Sequence, residues 1–243
     1  MQGRWALLAQ PSRKTAAQRT AWSHDVALQL LNRYGVVTRE TAAQENLPGG
    51  FSAVYEVLKA MEASGRIRRG YFAQGLGAAQ FALRAAVDML RSLRAQPETA
   101  EIIMLAAADP ANLYGSVLRW PQPEDEAGLR ALARSAGASI VLRNGELVAY
   151  LRRDNPHLQV FLPVDEPDRT HAARDLALFL AKSAQRSLSE EDRHARGLLI
   201  ATVNGVRVQE HWFAQYLLGA GFSAAPSGFN VRRASAQGEG PPA

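Results

Sequence analysis

Ala108-Asp109-Pro110-Ala111-Asn112-Leu113-Tyr114-Gly115, with Trp120-Pro121 shortly after, sets a carboxylate, an amide and two aromatic rings close together behind an apolar run, Ile102-Ile103-Met104-Leu105-Ala106. A carboxylate at the end of a rigid strand could stabilise a developing cation or orient a water molecule, which makes Asp109 a catalytic candidate. Tyr114 or Trp120 could stack on a base. The same residues also spell a turn, because Asp before Pro commonly starts one and its side chain bonds nearby backbone N–H groups. Both readings stand at this level.

A second constellation is basic. Arg66-Ile67-Arg68-Arg69-Gly70-Tyr71-Phe72 interleaves guanidinium groups with aromatics directly after an amphipathic segment that carries Ser52 and Lys59. Arg66, Arg68, Arg69 and Tyr71 on a hairpin, with Ser52 and Lys59 on the helix before it, suit phosphate and groove contacts to a duplex. The competing reading is a solubilising strand, or a protein-binding module of the same shape.

Other chemistries are absent from the chain. There is no Gly-x-x-x-x-Gly-Lys-Ser/Thr loop, so no ATP-driven motor is expected within it. Gly75-Leu76-Gly77 begins a dinucleotide-type glycine pattern but meets Gln80 and leads into a strand, as a wing tip would. No Gly-x-Ser-x-Gly elbow occurs, and histidines 24, 157, 171, 194 and 211 never pair at His-x-x-x-His spacing. With no cysteine there is no disulfide or thiolate chemistry, and neither metal nor cofactor is expected. The acidic runs Glu124-Asp125-Glu126, Asp165-Glu166-Asp168 and Glu190-Glu191-Asp192 read as solvated helix caps.

At 243 residues and 47% hydrophobic, the chain can build one large domain or two modest ones. No apolar run approaches the roughly 18 residues of a membrane span, and Met1-Gln2-Gly3-Arg4-Trp5 lacks a signal peptide's apolar stretch. A cytoplasmic, nucleoid-associated location without membrane contact is therefore expected. The charge is uneven: residues 1 to 98 hold 13 Lys or Arg against 7 Asp or Glu, and residues 99 to 243 hold 15 against 16. The basic surplus thus sits in the first part. Arginine outnumbers lysine 25 to 3, which GC-rich coding also produces.

These groups need elements to hold them. Trp22, Val26, Leu28, Leu30 and Leu31 predict a helix over 20–34 that Gly35 ends, and Thr38 caps a second through about Glu45. Phe51, Val54, Tyr55, Leu58 and Met61 form the core stripe of a third, closed by Gly65. Strands over 66–72 and 79–83 make a wing, a helix covers 85–93, and Gln96-Pro97-Glu98-Thr99 marks a boundary. Beyond it, residues 102–106 read as a buried strand. Asn144-Gly145 joins strands 139–143 and 146–151 through a type I′ turn. Further strands fall at 157–162, 198–203 and 206–208, helices at 169–186 and 212–220, and a last hairpin at 222–232 turning at Pro226-Ser227-Gly228. Trp212 and Tyr216 are expected in the core. The prediction is an α+β chain: a winged helix over 1–98, a β-barrel-like antiparallel module with two packed helices over 99–233, and a disordered tail, 234–243.

Several long motifs together resemble the C-terminal region of the bacterial large helicase-related (Lhr) proteins. They are Gly3-Arg4-Trp5, Arg33-Tyr34-Gly35-Val36-Val37-Thr38-Arg39-Glu40, Gly49-Gly50-Phe51-Ser52-Ala53-Val54-Tyr55, Arg68-Arg69-Gly70-Tyr71-Phe72, Gly75-Leu76-Gly77-Ala78-Ala79-Gln80-Phe81 and Asp109-Pro110-Ala111-Asn112-Leu113-Tyr114-Gly115. The likeness runs from about residue 3 to 233. It implies a winged helix and β-barrel attached behind a superfamily 2 helicase of DNA repair. It also implies uracil-DNA glycosylase activity in this region. The Asp-bearing loop followed by Val141-Leu142-Arg143-Asn144-Gly145-Glu146-Leu147 is similar to winged-helix glycosylases of the AlkZ type, although no Gln-x-Gln or Gln-x-Asp occurs here. The partners implied are single-stranded or forked DNA and a helicase core in cis or in trans, with homo-oligomer formation left open. The alternative is a non-catalytic DNA-binding and oligomerisation domain that positions the helicase.

Overall fold

The computed structural model describes residues 15–77, 79–94, 97, 99–121, 131–153, 155–189 and 198–231. Gly3-Arg4-Trp5, Ala78, Gln96 and Glu98, Glu124-Asp125-Glu126, Glu190-Glu191-Asp192, His194, Arg232 and the 234–243 tail lie outside these. Two compact units emerge: residues up to 95 together with Ser116–Leu118, and residues 96–115 together with 119–243.

In the first unit, Thr15 caps α1 (Ala16–Tyr34) through a capping box with Gln18, so the helix begins before the apolar stripe does. Gly35, at φ 71°, ends it and leads into β1 (Val36–Val37). Thr38 caps α2 (Arg39–Gln44), its hydroxyl accepting the Glu40 and Thr41 N–H groups. Gly49 and Gly50, both at positive φ, turn the chain into α3 (Ser52–Ala63), which buries Val54, Leu58 and Met61. The wing is β2 (Ile67–Gly70) and β3 (Gln80–Leu83), and β3 lies between β1 and β2 in an antiparallel sheet. Ala27, Leu30, Leu31, Val37, Val54, Leu58, Ile67 and Phe81 close the core. Gln80, fully buried, holds the wing's bend: its Oε1 accepts the N–H groups of Phe72 and Ala73, both at 2.8 Å, and its Nε2 donates to the Ala73 carbonyl at 2.9 Å. Helix α4 (Arg84–Ser92) follows and buries none of its residues.

The second unit opens with β4 (Ile102–Ala106), which pairs with β5 (Ala138–Arg143). β5 turns through Asn144 (φ 50°) and Gly145 (φ 84°) into β6 (Glu146–Arg152), the type I′ geometry its sequence demands. β7 (Asn155–Val160) and helix α5 (Asp168–Ser189) come next. The 198–203 segment then splits at Ala201 into β8 (Leu199–Ile200) and β9 (Thr202–Val203), and Asn204-Gly205 turns it into β10 (Val206–Arg207). Helix α6 (Ala214–Gly219) leads to the hairpin β11 (Ser223–Ala225) and β12 (Gly228–Asn230).

The predicted barrel is corrected here. The strands form a six-stranded sheet in the order β10-β9-β7-β6-β5-β4 and a separate three-stranded sheet in the order β11-β12-β8. β4 and β10 remain its two edges, so no closed barrel exists among the described residues. The sheet is also not wholly antiparallel, because β7 and β9 pair parallel. The buried-strand expectation for 102–106 fails for the same reason. As an edge strand, β4 leaves Ile103 42% and Met104 36% exposed.

One main core gathers Val141, Val148, Ala149, Leu176, Leu180, Ile200, Val203, Phe213, Leu217 and Phe229. A second, formed by Ala107, Ala138, Ile140, Leu142, Leu147 and Tyr150, packs Tyr114 and Trp120 against it. Alternation along β5 sends Ile140 and Leu142 to one core and Val141 to the other. Among the described residues no helix is long and apolar enough to cross a membrane.

Candidate functional site

Asp109 leaves β4 in a tight turn. Its N–H donates to the Ala106 carbonyl (2.9 Å), its carbonyl accepts the Asn112 N–H (2.9 Å), and its Oδ1 accepts the Ala111 N–H (2.8 Å). The turn is therefore real, and it engages one carboxylate oxygen. The loop is fixed from within by Asn112, 1% exposed, whose Nδ2 donates to the Ala107 carbonyl (2.8 Å) while Oδ1 accepts the Tyr114 N–H (2.9 Å). Arg134 fixes it from the other side. Its Nη1 donates to the carbonyls of Asn112 and Tyr114, and its Nη2 to those of Ala108 (3.5 Å) and Asp109 (3.1 Å). Four backbone acceptors on one planar fork make the loop a preorganised platform. Sequence reasoning missed Arg134, which sits 25 residues from Asp109 with no local pattern around it.

Tyr114 and Trp120 are brought together, onto each other. Their rings stack at 6.4 Å with a 21° tilt, and Trp120 meets Tyr150 edge-on at 5.9 Å. Gly115, at φ 76°, is required for this, because a Cβ there would stand 2.4 Å from Trp120 Nε1. The register of β5 with β6 skips Val148, and the Leu147 N–H next to that bulge donates to Tyr114 Oη at 3.2 Å. Base stacking by either ring is thus confined to faces that the other rings leave open.

The basic constellation divides. Along β2, Arg68 lies opposite Ala82 and Arg69 opposite Phe81, so the pleat points them to opposite faces. Arg69 shares the side of buried Ile67 and carries its guanidinium 5.8 Å from the Phe81 ring centroid. Arg66 and Arg68 are exposed, and Tyr71 is 67% exposed just past the strand. On α3, Ser52 and Lys59 share the outer face with Glu56, whose carboxylate pairs with Lys59 at 3.3 Å.

A groove of about 1000 Å³ in the second unit was not anticipated. Leu147, Val160, Phe161, Arg169, His211 and Trp212 are among the residues lining it. The Arg169 guanidinium lies 3.9 Å from the Trp212 ring centroid. His211 packs on the same indole at 5.5 Å, and its Nδ1 accepts the Phe213 N–H at 3.1 Å. Burial, and then the charge of Arg169, hold its pKa below the ordinary 6.5. Trp212 and Tyr216 are half-buried and pack against the main core with their rims exposed, one step short of the core positions predicted for them. The triad joins residues more than forty positions apart, so only the adjacent His211-Trp212 pair could have signalled it. Among the described residues no group of three or more His, Asp or Glu side chains could hold a metal ion.

The model of the large helicase-related protein winged-helix domain matches residues 16–102. A Mycolicibacterium smegmatis protein named Lhr helicase/probable uracil glycosylase is 38% identical over 243 residues, covering 95% of this chain and 15% of its own length. An Escherichia coli K12 protein named Lhr helicase/uracil glycosylase is 33% identical over 234 residues, 94% of this chain and 14% of its own length. This chain belongs to the large helicase-related (Lhr) family. It spans only about 15% of the length of the Lhr relatives it matches. Within the Lhr chain, the family model falls on the unit bearing Arg66, Arg68 and Arg69, while Asp109 and the groove lie outside it.

Proposed function

We propose that this chain is the C-terminal repair domain of an Lhr-type helicase, binding single-stranded or forked DNA and excising uracil as a DNA glycosylase. The motor resides elsewhere, and this chain by itself unwinds nothing. One observation carries the reading: two relatives whose names include uracil glycosylase align over 94 to 95% of this chain, the Asp109 platform included. In this reading the winged unit docks the strand through Ser52, Lys59, Arg66, Arg68, Arg69 and Tyr71.

The extruded uracil presents its glycosidic bond to the loop. The C1′–N1 bond breaks with its electron pair going to the base, leaving an oxocarbenium-like sugar. Asp109 offsets that charge through Oδ2, which has no partner among the described residues, while Oδ1 stays with the Ala111 N–H. Water then adds at C1′ and its proton passes to Asp109. The fixed loop matters because a charge already in place costs no reorganisation at the moment of bond cleavage.

A uracil-containing single strand incubated with the purified chain, then treated with alkali, tests this. A break that falls about 100-fold or more in rate in Asp109→Ala supports the assignment. Breaks unchanged in that variant keep the glycosylase and remove Asp109. The absence of breaks at enzyme excess leaves the second reading, a non-catalytic DNA-binding and oligomerisation domain. That reading is favoured by the turn itself, since Asp109 already has a structural task there.

A further inference from the structure

We propose that the groove beside the Asp109 platform is a phosphate site for the DNA strand, in which the Arg169 guanidinium and the His211 Nε2–H grip one backbone phosphodiester. The proposal rests on the reading of DNA as partner and does not need base excision to occur.

Two arginines of this unit, Arg143 and Arg134, have their guanidinium groups matched. Arg143, in the same groove, bonds Asp175 through Nε and Nη2 at 3.0 Å each, and Arg134 holds four carbonyls. Arg169 differs. It is half-buried, with its guanidinium carbon 3.9 Å from the Trp212 ring centroid, yet among the described residues it has neither a hydrogen-bond acceptor nor an ion-pair partner. A guanidinium held rigid by an aromatic ring with its N–H edge unused is preorganised for the bidentate grip that phosphate oxygens accept.

His211 supplies the complementary donor. Because the Phe213 N–H points at Nδ1, the neutral ring carries its proton on Nε2. The other charged groups lining the groove are Glu146 and Glu210, both exposed, and Arg143, already paired. Among the described residues, Arg169 is thus the unmatched cation of the groove. Its position also suits a strand engaged at Asp109. Leu147, which bonds Tyr114 Oη, and Pro121, next to Trp120, both line the groove.

The test is fluorescence anisotropy of the full chain on a labelled single strand carrying 2′-fluorodeoxyuridine, whose glycosidic bond resists cleavage, across a chloride series. Arg169→Gln should weaken binding about tenfold at low salt. It should also reduce the slope of log affinity against log salt by about 0.7, one single-strand phosphate. Arg169→Lys should restore the slope while recovering only part of the affinity. An unchanged slope in Arg169→Gln accompanied by a lowered melting temperature would make the residue structural and overturn the proposal. So would loss of inorganic-phosphate binding in Arg169→Gln with strand affinity and slope unchanged, which would assign the groove to a free anion. Excision, measured separately on an ordinary deoxyuridine strand, and slope separate the two claims: loss of slope in Arg169→Gln with no strand breaks by the parent retains this site and removes the glycosylase, whereas intact excision with intact slope in Arg169→Gln removes this site alone.

Discussion

Replacing Asn112 with alanine removes the internal brace of the Asp109 platform. The bonds lost include Nδ2 to the Ala107 carbonyl and Oδ1 from the Tyr114 N–H. Ala107 is fully buried, so its carbonyl loses a partner where water does not replace it, at about 1–3 kcal/mol. Tyr114 is only half-buried, and its N–H can recover water, so about 1 kcal/mol is reasonable there. The expected total is about 2–4 kcal/mol. For a urea m-value of about 2 kcal/mol per molar, the unfolding midpoint should fall by about 1–2 M. Near-UV circular dichroism should report the same change, because the Tyr114–Trp120 stack depends on this turn. Asn112→Asp separates the two bonds. It keeps an acceptor for Tyr114 but sets a carboxylate against the Ala107 carbonyl, and should cost at least as much as alanine. A loss below 1 kcal/mol with the aromatic signal intact would show that Arg134 alone holds the loop, and would refute the brace.

Gly115→Ala should cost about 2–4 kcal/mol, summing a left-handed backbone penalty and the overlap with Trp120, and should shift Trp120 fluorescence; thermal unfolding within 1 °C of the parent would contradict it. Gln80→Ala should open the wing's bend by freeing the Phe72 and Ala73 N–H groups, read as their accelerated hydrogen exchange and as weaker DNA binding. For His211 the folded pKa lies below 6.5, so the unfolded chain takes up the proton first as pH falls. Its contribution is therefore full above about 6.5 and is lost as pH falls through the folded value. The difference between parent and His211→Gln stability should be flat above that pH and slope below it, and identical curves would exclude the linkage.

Local chemistry carried much of the fold. Asn144-Gly145 demanded its hairpin, Thr38 its capped helix, and the Val54-Leu58-Met61 stripe its buried face, because each follows from the intrinsic geometry of a few neighbours. Pairing between distant strands left no such mark. The 198–203 run reads as one strand, and only tertiary pairing shows that its two halves join different sheets. The 102–106 run is apolar enough for a core, but its depth depends on whether another strand covers it. The candidate site followed the same rule. Asp109, Asn112 and Tyr114 stand in one readable loop, whereas Arg134 and the Arg169–His211–Trp212 assembly were brought in by the fold. The arginines of β2 looked like one patch until the pleat separated Arg68 from Arg69.

The break at Ala201 stitches the second unit together. Leu199 and Ile200 pair with β12, Thr202 and Val203 with β7 and β10, and Ala201 itself donates to the Pro156 carbonyl at 2.7 Å and accepts from Val208 at 3.0 Å. Gly228 approaches so closely that a Cβ there would lie 2.3 Å from the Ile200 carbonyl oxygen. The β11–β12 hairpin, a motif that ordinarily frays on its own, is thereby tethered to β8, the strand continuous with β9 of the large sheet. Its amides should exchange only as fast as the unit as a whole unfolds. Deleting it would behave as a global lesion, felt at the far edge of the sheet where Asp109 stands.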